Sequence, residues 1–89
     1  MARSIPVELE GLVEVFRDLE DYVISLDRVL SRIGAGEDPR ILVEYVVEHN
    51  LPARMARARE FVGDSLERYI GADKLEEIAE QVEGYGRRK

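Results

Sequence analysis

The chain has 89 residues, 19 acidic against 13 basic side chains, a net charge of -6 and no cysteine. A domain of this length buries only about 60 to 65% of its unfolded surface, and with His49 as its one imidazole it lacks both the disulfide and the thiolate–imidazole zinc site that reinforce thin cores. The acidic excess excludes general attraction to phosphate backbones, but it is uneven: residues 1–51 hold five arginines against eleven acids, and residues 52–89 hold eight bases against eight acids.

The segment MARSIPVELE has no apolar signal core, and no stretch approaches the ~18 uninterrupted apolar residues of a membrane span, so a cytoplasmic protein is expected. Arginine far outnumbers lysine, charged residues make up 36% of the chain, and there is one Asn, one Gln and no Thr. Avoidance of thermolabile side chains together with abundant ion-pairing groups points to a thermophilic source.

Apolar residues fall at Ile5, Leu9, Leu12, Phe16, Leu19, Val23, Leu26, Leu30 and Ile33, alternating steps of four and three. That is a heptad a/d pattern held over about four heptads. It predicts a helix from Pro6 to Ile33, opened by a proline at its first position and closed by Gly34-Ala35-Gly36. Val15, Tyr22 and Val29 add an apolar row at the g positions, so the helix asks for more than one neighbour. Glu10, Glu14, Arg17, Asp18, Asp21, Arg28 and Arg32 lie on the other side, which reads as solvated, with Gly11 as an exposed weak point costing about 1 kcal/mol relative to alanine.

Asp38-Pro39 is an N-cap followed by an N1 proline and predicts a second helix to about His49. The β-branched run Ile41–Val47 offers a strand as the alternative; helix is preferred because a lone strand has no partner in this chain, and Glu44 and Glu48 share a helical face. Pro52 opens a third helix to about Ile70, with Met55, Ala58, Val62, Leu66 and Tyr69 as its inner stripe, Phe61 and Ile70 beside it and Gly71 as its stop. Asp73 is read as the cap of a short fourth helix that turns Leu75, Ile78, Ala79 and Val82 inward and ends at Gly84. The fold class is therefore all-α, a small bundle of about four helices in one domain, residues 1–89, with residues 1–4 and 85–89 as frayed tails.

Chemistry-bearing patterns are sparse. His49 has no visible partner set and reads as a charge at a helix end, and the serines have no accompanying histidine, so neither a catalytic residue nor a bound cofactor is expected. The acidic rows Glu10/Glu14/Asp18/Asp21 and Glu76/Glu77/Glu80/Glu83 lie opposite the apolar stripes and lack the Glu-x-x-His motifs of di-metal bundles, so no metal site is expected.

The seam Leu9, Leu12, Phe16, Leu19, Val23, Leu26 and Leu30 predicts a protein-interaction or oligomerisation module, with a homodimer favoured and an antiparallel second copy covering the rod. The counter-reading has the second and third helices stack end to end along the rod and cover it within one chain. A different function is carried by Leu42–Arg59: a helix-turn-helix-like dimeric DNA regulator would present Arg54, Arg57 and Arg59 to the major groove, whereas Arg87, Arg88 and Lys89, three bases on a chain end, add no weight of their own.

Overall fold

The heptad-patterned segment folds as one continuous helix, α1 (Leu9–Gly34), followed by α2 (Arg40–Glu48), α3 (Leu51–Ile70) and α4 (Ala72–Glu80). The computed structural model describes residues 4–86, and among them there is no strand. The all-α class follows, and the β-branched run Ile41–Val47 is helical. Residues 1–3 and 87–89, including the basic end Arg87-Arg88-Lys89, lie outside the described residues. Ser4, Tyr85 and Gly86 are exposed and belong to no helix.

The ends of the helices follow their punctuation with small shifts. Helix α1 begins at Leu9 rather than Pro6, because Glu8 is still extended with φ -63° and ψ 128°. Its C-terminus is a Schellman turn: Gly36 takes φ +109°, its N–H donates to the Ile33 carbonyl, and the Glu37 N–H donates to the Arg32 carbonyl. An Arg32–Glu37 ion pair at 2.7 Å spans the same turn. Asp38 caps α2 as expected, its carboxylate accepting the Arg40 backbone N–H at 2.9 Å. Asn50, left-handed at φ 55°, lets α3 open directly after α2, and Gly71 at φ 87° separates α3 from α4. Asp73 lies in the first turn of α4 and makes no cap hydrogen bond, and α4 ends at Glu80 instead of Gly84.

Helices α2 and α3 lie end to end along α1. Helix α2 serves the C-terminal half, where Tyr45 packs with Tyr22 and Leu51 against Leu26, Val29 and Val46. Helix α3 runs antiparallel along the N-terminal half, with Arg54 opposite Asp18 and Phe61 opposite Gly11. Helix α4 packs only on α3, where the Leu75 side chain lies over Gly63. The result is an open layer with extents of 47 × 38 × 27 Å and a radius of gyration of 16.5 Å, against about 12 Å for a compact chain of this length.

Candidate functional site

Which face of α1 the chain uses for itself decides what is left for function. The row that packs inward is Gly11, Val15, Asp18, Tyr22, Ser25 and Val29, a heptad of its own beside the a/d seam. Two of these positions were expected in solvent. A Cβ on Gly11 would fall onto the Phe61 ring, so the glycine permits a close approach of α1 and α3 and is not an exposed defect. Asp18 is 7% exposed and Asp21 is half-buried, because Arg54 reaches over from α3 to bind both.

The Arg54 guanidinium donates through Nε and Nη2 to Asp18 Oδ1 at 3.2 and 2.9 Å, and through Nη1 to Asp21 Oδ2 at 2.9 Å and to the His49 carbonyl at 3.2 Å. It also lies 5.1 Å from the centroid of the Tyr22 ring. Ser25 donates to Asp21 at 2.8 Å, and the Tyr45 hydroxyl donates to the same carboxylate at 3.2 Å. The Ser25 hydrogen bond, ahead of those from Arg54 and Tyr45, holds the Asp21 carboxyl below the usual carboxylate range against the opposing effect of burial. Burial pushes the Tyr22 and Tyr45 hydroxyls up, and the Tyr22 hydroxyl has no hydrogen-bond partner among the described residues. The cluster is thus a clasp between α1, α2 and α3. It could have been sought in the sequence, because Arg54 lies in the row Leu51, Ala58, Phe61 and Ser65, whose steps of three and four match the inner row of α1.

The inner stripe of α3 is therefore rotated by about one position from expectation. Ala58, Leu66, Phe61 and Ile70 are partly covered as expected, Leu51, Arg54 and Ser65 join the row with Ala58 and Phe61 that faces α1, and Met55, Val62 and Tyr69 are exposed. The close Gly11–Phe61 crossing and the pull of Arg54 on two carboxylates set this rotation. In α4 only Leu75 is partly covered; Ile78, Ala79 and Val82, expected inward, are exposed, and Val82 lies beyond the helix end.

The a/d seam is left open. Leu9, Leu12, Phe16, Leu19, Val23 and Leu30 are exposed, Phe16 by 60% and Val23 by 66%, and Leu26 together with the end residues Ile5 and Ile33 is partly covered from within the chain. Next to this seam, Leu12 lines an apolar groove with Ile5, Val7, Val62 and Leu66, so the outer row of α3 continues the apolar surface of α1. The layer has two unlike sides. One carries Glu14, Asp18, Asp21, Arg54 and Arg57, and the other carries the seam and the outer row of α3.

The three arginines singled out for DNA contact sit in different settings. Arg54 belongs to the clasp, Arg57 lies 3.6 Å from Asp18 and 3.9 Å from Glu14, and Arg59 is exposed. His49 stacks at a tilt on Tyr45, with ring centroids 4.9 Å apart, and its side chain is exposed. The row Glu10/Glu14/Asp18/Asp21 is split between solvent and the clasp, and no three metal-ligating side chains converge among the described residues. No helix among them is long and apolar enough to cross a membrane. Comparison of the chain with protein-family models, curated proteins and solved structures finds no match.

Proposed function

We propose that the chain is a protein-interaction and oligomerisation module whose contact element is the a/d seam of α1, acting in the cytoplasm of a thermophilic cell. The observation that carries this reading is the exposure of Leu9, Leu12, Phe16, Leu19, Val23 and Leu30 after the chain has folded on the neighbouring row. Complete burial of such a side chain is worth about 1.5 to 3 kcal/mol, and each of these has about half or more of that still to gain. An apolar strip running the length of a 26-residue helix is far larger than the scattered exposed leucines of ordinary surfaces.

The DNA-regulator alternative gains nothing comparable. Arg54 spends its donors on Asp18, Asp21 and the His49 carbonyl, Arg57 lies within 3.6 to 3.9 Å of Asp18 and Glu14 while staying exposed, and Arg59 is exposed, so the three do not form one base-reading set. A base-reading arginine needs a free guanidinium fork.

Hydroxyl-radical footprinting in the expressing cell tests the proposal without naming a partner. Phe16 and Leu19 are expected to be protected relative to exposed residues of similar reactivity such as Tyr85. Full reactivity at Phe16 in the cell contradicts a docked seam.

A further inference from the structure

We infer that the occupant of this face is a second copy of the chain, and that the two copies meet layer on layer, through the outer row of α3 as well as the seam of α1. This rests on the docking reading above and identifies the partner. Surface area carries the argument first. A compact monomer of 10.2 kDa exposes about 5,300 Å², whereas this chain exposes 7623 Å². The surplus of about 2,300 Å² per chain also includes α4 and the chain ends, where Ile78, Val82 and Tyr85 are exposed, so about 4,600 Å² is the upper limit for a pair; that limit leaves room for the roughly 2,000 to 5,000 Å² buried by obligate homodimers.

The thinness of the internal core points the same way. Tyr22, Tyr45 and Leu51 are the only buried apolar side chains among the described residues, too few to hold four helices against chain entropy. The missing cover must then be present whenever the chain folds. A second copy is always available in equal amount, and its own open apolar side has the same dimensions and the same need.

The shape of the surface sets the extent of the interface. A two-stranded coiled coil would cover α1 and leave Met55, Val62 and the Leu12–Leu66 groove wet. Those residues continue the apolar surface sideways from the seam, so a flat second layer covers both helices and a single helix does not. Each copy carries a net charge of -6, and the exposed acids Glu20 and Asp27 flank the seam at its e positions, so two copies repel each other electrostatically. Added salt should therefore tighten the pair, the opposite of its effect on phosphate binding.

Light scattering on the purified full chain at micromolar concentration provides the test, with helicity followed by circular dichroism. Wild-type protein should give about twice the 10.2 kDa chain mass, and Val62→Glu on α3 should weaken the dimer at least tenfold, as should Leu19→Glu on α1. Raising salt from about 50 mM to 500 mM should lower the dissociation constant. A helical wild-type monomer overturns the second copy; if Phe16 is still protected in the cell, the docking reading survives with another partner. A wild-type dimer broken by Leu19→Glu but unaffected by Val62→Glu overturns the layered interface in favour of a simple coiled coil. Should Val62→Glu unfold, Met55→Glu on the same exposed row of α3 takes its place in deciding the layered interface, while the wild-type mass and its salt response decide the second copy.

Discussion

Two rows of α1, about a hundred degrees apart around one helix, have opposite fates. The a/d seam is the more hydrophobic and the more regular, yet it stays in solvent; the inner row holds a glycine, an aspartate, a tyrosine and a serine, yet it organises the chain. Hydrophobic regularity marks a surface that wants cover without saying from where. Within the chain, the inner row wins because it offers fit: Gly11 admits the Phe61 ring, and Asp18 and Asp21 capture Arg54. Helices α2 and α3 do stack along the rod as the counter-reading had it, but on the inner row, leaving the seam open.

The sharpest way to break this contrast is to remove the clasp. Arg54→Met leaves Asp18 and Asp21 with lost partners in a poorly hydrated crossing, and should cost about 3 kcal/mol of stability in chemical denaturation, whereas Arg59→Met should stay within about 0.5 kcal/mol. Equal effects would mean that the clasp does not hold the layer together.

The two glycines inside helices sharpen the comparison at a smaller scale. Gly11→Ala puts a methyl onto the Phe61 ring and should destabilise by about 1 to 3 kcal/mol. Gly63→Ala places its Cβ at an ordinary 3.8 Å from Leu75 and should stabilise by about 0.5 to 1 kcal/mol through helix propensity. The opposite order in thermal melts would refute the close α1–α3 crossing.

The smallest effect is the acid response. Because Asp21 is held below its ordinary value, chiefly by Ser25, its contribution is present above about pH 4 and disappears as pH falls through the lowered folded-state value. The stability difference between wild type and Asp21→Asn should therefore shrink on acidification below pH 4. A difference that grows there contradicts the network around Asp21.

Helix existence was legible because it is written locally. Gly34-Ala35-Gly36, Asp38-Pro39, Pro52 and Gly71 punctuate the chain through backbone preferences that need no tertiary context, and the four helices fall between them. Helix rotation was not settled by the sequence, because two rows of α3 share the same spacing and the choice between them depends on contacts between distant residues. Met55, Val62 and Tyr69 form as good a stripe as Leu51, Ala58 and Phe61, and the choice is made by Gly11 and Arg54, a residue type that periodicity counts as polar. The acidic row of α1 was misread for the same reason: Asp18 counts as solvated until the arginine that crosses to it is known. The seam itself was fully visible, and its exposure in the folded chain agrees with the expectation that the chain's own helices do not cover it.

The central claim, that the seam is completed by association and not by the chain's own fold, is tested most directly by the concentration dependence of the thermal midpoint. Between about 1 and 100 µM chain, dimer-linked unfolding should raise the midpoint by about 5 to 10 °C. A midpoint that does not move over that range would contradict the account.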